Sequence, residues 1–136
     1  MKPRHLLLLA WLAFLPRTAL AVVVLILSSG NGSLDTAAQN VFTSAGHTAV
    51  IGPQYTAFTG SGLSGVGAVL FLANANWSAG DMPLAGQTAL VNFVSNGGGL
   101  ITGEWVNWKV GVGSLTTLAP ILPVAVSSQW TTGGNI

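Results

Sequence analysis

After residue 21, two stretches of the chain are apolar at every position. Val22–Leu27 is a continuous, largely β-branched run, and Ala68–Ala73 (AVLFLA) is the second. Short runs without polar alternation suit strands covered on both faces, as in a parallel sheet. Behind the first run, Ala37, Ala38, Val41, Phe42 and Ala45 recur at 3-and-4 spacing, which predicts a helix capped by Ser33 or Asp35. Gly46 supplies its stop, and His47 leads into a short strand, Thr48–Ile51. The Gly-, Ser- and Thr-rich stretch from Gly52 to Gly67 predicts loop or one weak helical turn. After the second run, the polar residues 74–81 lead to a helix from about Met82 to Ser95, with Pro83 in its first turn. Leu84, Leu90, Val91, Phe93 and Val94 form its apolar side. Asn96–Gly99 ends it, and Leu100–Thr102 begins another strand. Beyond Trp108 the pattern thins to a helical piece at Leu115–Leu118, a fifth strand at Ile121–Val126 and loop from Gln129.

Strands alternating with helices predict an α/β fold with right-handed crossovers. The simplest arrangement is a flavodoxin-like three-layer sandwich whose parallel sheet runs in the order 2-1-3-4-5. It predicts Val22–Leu27 and Ala68–Ala73 as the central, buried strands.

The first residues follow a different logic. Met-Lys-Pro-Arg-His precedes LLLLAWLAFL, and Ala19-Leu20-Ala21 closes the segment. A basic start, a ten-residue apolar stretch and a small-residue end match a secretory signal peptide over residues 1–21. Pro16, Arg17 and Thr18 separate this stretch from VVVLIL, so neither piece reaches the roughly 20 residues of a membrane span. Cleavage after Ala21 is the expectation, with a single domain over 22–136 in a secreted or periplasmic setting. The chain meets a membrane only if the leader is retained as an anchor.

Charge narrows the chemistry. The 136 residues hold four Lys or Arg and three Asp or Glu, and Lys109 is the only Lys or Arg after Arg17. Against Asp35, Asp81 and Glu104 it leaves residues 22–136 at a net −2 with His neutral. Nucleic-acid binding needs clustered cations and is excluded. Absence of cysteine excludes disulfides, thiolate metal sites and cysteine nucleophiles. No metal or cofactor is expected.

The stretch from Asp81 to Ile101, DMPLAGQTALVNFVSNGGGLI, resembles the class I glutamine amidotransferase-like superfamily. It is most similar to the trehalose-utilisation-type branch, in which a helix of the form aL-xx-FV-xx-GGG-L feeds the central strand. The likeness extends over roughly residues 22–108 and implies the same α/β sheet. The enzymes of that superfamily carry a cysteine on the turn after this strand, where Gly103-Glu104-Trp105 stands here. No His follows His47 to complete their catalytic set. Glutamine amidotransfer is excluded on chemistry, and the chain reads as a shortened, non-catalytic relative.

Ligands of open parallel sheets bind beyond the carboxyl ends of the strands. The loops expected there carry Asn74, Asn76, Trp77, Glu104 and Trp105, joined by Asn107 and Trp108. Indole faces stack on sugar rings, and amides and a carboxylate bond hydroxyls, so this set suits a glycan or another small polar molecule. The plainer alternative is that the tryptophans close the core. Ser29, Gly30, Asn31 and Gly32 form a strand-to-helix turn whose N–H groups could meet an anion, against the simpler reading of a tight turn. Glu104 is the one candidate acid–base group for a sugar-modifying or hydrolytic enzyme, or else a partner of Lys109. A surface or adhesion module is the third reading. Asp35 and Asp81 read as helix caps, and His47 as a helix-end residue meeting free carbonyls. Asn31-Gly32-Ser33 and Asn76-Trp77-Ser78 match the glycosylation sequon.

Overall fold

The run VVLILS forms β1 (Val23–Ser28) in the computed structural model, which describes residues 20–73 and 80–124. α1 (Gly32–Ser44) and β2 (Thr48–Gln54) follow, then a 3-10 turn at Tyr55–Ala57 and β3 (Ala68–Phe71). α2 (Leu84–Ser95), β4 (Gly99–Thr102), α3 (Glu104–Gly111) and a 3-10 helix at Thr116–Ile121 complete the described chain. The strands form one parallel sheet in the order β2-β1-β3-β4, so β1 and β3 are the inner pair.

The apolar runs occupy the centre for the reason their composition implies. Successive side chains of a strand point to opposite faces. Val24 and Ile26 accordingly pack with Leu70 and with Ala38 and Phe42 of α1. Leu25 and Leu27 join Val69, Phe71, Leu90 of α2, Val106 of α3 and Leu118 in the larger cluster. Tyr55 and Phe58, from the stretch read as loop, are wholly buried there. That connection forms part of the core.

Two glycines are demanded by geometry. Gly46, at φ +86°, turns the chain out of α1 in a conformation that side chains avoid. Gly86 lies so close to the backbone of Phe58 that any Cβ would collide with its carbonyl.

Several boundaries differ from the sequence expectation. β2 continues to Gln54 through Pro53, which an outer strand tolerates. α2 begins at Leu84 because Pro83, at φ −52° and ψ 146°, is the extended residue before it. Gly103-Glu104-Trp105, read as a turn, instead opens the eight-residue helix α3. Its acidic first turn and basic last turn suit the helix dipole.

The fifth strand is corrected. Ile121 ends a 3-10 helix, and no strand follows through Val124, so the described sheet has four strands and lacks the fifth place of the expected order. Pro120 and Pro123 flank Ile121-Leu122 and lack the N–H groups that a sheet ladder needs. Residues 125 and 126 of that expectation lie outside the described residues.

Candidate functional site

The carboxyl end of β1 is built by short polar side chains. Asn31 is the N-cap of α1, and its Oδ1 accepts from the N–H groups of Ser33 (3.1 Å) and Leu34 (3.2 Å). Asp35 is therefore not the cap. One turn into the helix, its buried carboxylate reaches back to the strand end. It accepts from the Ser28 hydroxyl at 2.6 Å, the Ser29 N–H at 2.9 Å and the Ser29 hydroxyl at 2.8 Å. Burial pushes the Asp35 carboxyl up, but the bonds from Ser28 and Ser29 outweigh it and hold the pKa below the usual aspartate value.

The same bonds decide what the Ser29–Gly32 turn offers. Gly30 donates its N–H to the Ser28 hydroxyl and Asn31 donates to the Ser29 hydroxyl, each at 3.1 Å. With the Ser29 N–H on Asp35, these three turn donors are engaged within the chain, and an internal carboxylate stands where an external anion would. On the outer side of the helix, Asn31, Gly32, Ser33, Thr36, Ala37 and Asn40 line an open hollow of about 780 Å³. Its lining is neutral.

A second cluster forms where the chain returns after β3. Lys109 of α3 is 4% exposed, and its ammonium donates to the Gly80 carbonyl at 2.8 Å and to Asp81 Oδ1 at 2.9 Å. The Tyr55 hydroxyl donates to the same carbonyl at 3.3 Å, with its ring tilted against Phe71 at 5.3 Å between centroids. Burial pushes the phenol pKa up, the nearby ammonium opposes the shift and Asp81 adds to it. Asp81 is an ion-pair partner, not a helix cap. Lys109 is paired with Asp81 across 28 positions of sequence, not with Glu104 five positions away.

Glu104 is exposed as the first residue of α3, behind Gly103. Trp105 is half-buried, packs on the larger core cluster and meets Trp108 edge-on at 5.8 Å between centroids. Asn107 Oδ1 and Trp108 Nε1 are buried without a hydrogen-bond partner. Asn74, Asn76 and Trp77 lie outside the described residues.

His47 is also placed differently from expectation. Its Nδ1 accepts from the Val22 N–H at 3.4 Å, so the side chain serves the start of β1, not the carbonyls of the helix end. The Tyr55–Gly80–Lys109–Asp81 cluster was missed because its members are far apart in sequence. The available signal was that a single cation after residue 17 must find a carboxylate if its helix is packed.

Among the described residues no group of three or more His, Asp or Glu could hold a metal ion, and no helix is long and apolar enough to cross a membrane. Comparison with known proteins finds no matching family model, no matching curated protein and no matching solved structure.

Proposed function

We propose that this chain is an exported, non-catalytic binding domain that takes a neutral polar ligand, a glycan or a similar polyhydroxylated molecule, at the carboxyl ends of its strands. The observation that carries this reading is the commitment of the ionisable groups at that end to internal bonds. Asp35 is held by Ser28 and Ser29, and Asp81 by Lys109. What remains exposed along the first turns of α1, which follows the carboxyl end of β1, is a neutral surface of Asn, Ser, Thr and small residues. Glu104 stands alone on α3, without a second acid or a histidine bonded to it among the described residues, which disfavours general acid–base work. The parallel sheet supports a flavodoxin-like three-layer arrangement, and the Asp81–Ile101 stretch supports kinship with the cysteine-free edge of the amidotransferase-like superfamily. The basic and apolar leader over residues 1–21 supports an extracytoplasmic location after its removal.

Titration of the exported protein with a panel of neutral oligosaccharides, followed by two-dimensional NMR, tests the reading. Saturable shifts confined to strand-end residues, with the sugars recovered unchanged, are expected. Absence of binding across the panel overturns it. Turnover that disappears in Glu104→Gln replaces it with an enzyme.

A further inference from the structure

We propose that two copies of this chain associate through the outer edge of β4, pairing antiparallel so that their sheets join across a two-fold axis. The two edges of the sheet are built differently. β2 contains Pro53, and its ladder with β1 shifts register between Ile26 and Ser28, both features that discourage further pairing. β4 is Gly99-Leu100-Ile101-Thr102, with neither proline nor charge, and its ladder with β3 is unbroken from Gly99 to Thr102. Among the described residues no strand lies on its outer side.

The hydrogen-bond direction sets the register. Gly99 donates its N–H inward to the Gly67 carbonyl at 3.0 Å. By strand alternation Ile101 also bonds inward, and Leu100 and Thr102 turn their N–H and C=O groups outward. Ile101 shares its face with Leu70, its β3 neighbour, yet its side chain is 42% exposed.

An axis perpendicular to the sheet at Ile101 satisfies both features with one register. Leu100 then stands opposite Thr102 of the second copy and exchanges two backbone hydrogen bonds with it, and symmetry repeats the exchange. Ile101 stands opposite Ile101 of the second copy, in the non-hydrogen-bonded site where side chains come closest. No like charges are opposed within the paired strands, because β4 has none. The strand is thus complementary to itself in backbone, side chain and charge. This inference is independent of the ligand reading above.

Sedimentation velocity of the full chain over a range of concentrations tests it. The parent is expected to shift from monomer to dimer with rising concentration. Ile101→Lys opposes two ammonium groups at the axis, and Thr102→Pro removes an outward N–H without touching the bonds of Ile101 to β3. Each is expected to weaken association by about tenfold or more, with an unchanged far-ultraviolet circular dichroism spectrum. If Thr102→Pro loses the native spectrum, the exposed Ile101→Lys decides. A parent that stays monomeric at its highest soluble concentration overturns the proposal. Association that Ile101→Lys leaves unaltered also overturns it, since some other surface is then responsible.

Discussion

Asp35 grips Ser29 twice, accepting from its N–H at 2.9 Å and its hydroxyl at 2.8 Å. That pair ties the first turns of α1 to the residue that follows β1. The first helix N–H groups, those of Ser33 and Leu34, are satisfied by Asn31, while the Asp35 carboxylate takes the donors of the turn that precedes the helix.

Loss of this carboxylate should be costly and pH-dependent. Hydrogen bonds to a charged group contribute about 1.5–3 kcal/mol each, so Asp35→Ala should destabilise the fold by at least about 3 kcal/mol. The folded pKa of Asp35 is depressed. Its stabilisation is therefore complete above the unfolded value of about 3.9 and is lost as pH falls through the lower folded value. Urea melts of the parent and Asp35→Asn should differ most near neutral pH and converge in acid. A gap that persists unchanged into strong acid contradicts the assignment.

The Lys109–Asp81 pair should respond asymmetrically. The Lys109 side chain is 5% exposed and that of Asp81 is 43% exposed. Asp81→Ala leaves a buried ammonium bonded to the Gly80 carbonyl but without its carboxylate, a loss of about 3–5 kcal/mol. Lys109→Met leaves a carboxylate that water can reach and a Gly80 carbonyl that keeps the Tyr55 hydroxyl as a donor, so its cost should be about 1–2 kcal/mol. Denaturant unfolding of the two variants, side by side, reads the order directly.

Trp105→Ala should behave mainly as a packing loss. The indole rests on the larger core cluster and on Trp108, and truncation of a large buried aromatic costs about 3–5 kcal/mol. Partial exposure places Trp105 at the lower end. Glu104→Gln, at an exposed helix start, should shift thermal stability by no more than about 0.5 kcal/mol. A Trp105→Ala protein that melts like the parent assigns the indole to a surface role instead.

Gly86→Ala should be strongly destabilising, because its methyl group meets the Phe58 carbonyl carbon at 3.0 Å as well as the carbonyl oxygen, and backbone must shift to admit it. Gly32→Ala is the matched control. Nothing lies within 4 Å of its added Cβ, and the position opens α1, so it should be neutral or stabilising by up to about 1 kcal/mol. Circular dichroism melts of both variants check the contrast.

The sheet was legible from sequence because burial on both faces leaves a direct trace. VVVLIL and AVLFLA could be placed nowhere in a small domain except at its centre, and Gly46 and the Asn96–Gly99 stop marked helix ends by local backbone chemistry. The absence of cysteine excluded a whole class of catalysis without any coordinates. What tertiary structure decided were relations between distant positions. Asp35 looked like a cap because local spacing allows it, but Asn31 is nearer the helix start and Asp35 is needed by two serines brought back by the turn. Lys109 could be paired with its near neighbour Glu104 on paper, whereas packing of α3 against the return from β3 delivers it to Asp81. The same packing buries Tyr55 and Phe58 from a stretch whose Gly-rich composition reads as loop. Local propensity and hydrophobic pattern are written residue by residue along the chain, but the partner of a charge is chosen only when distant elements meet.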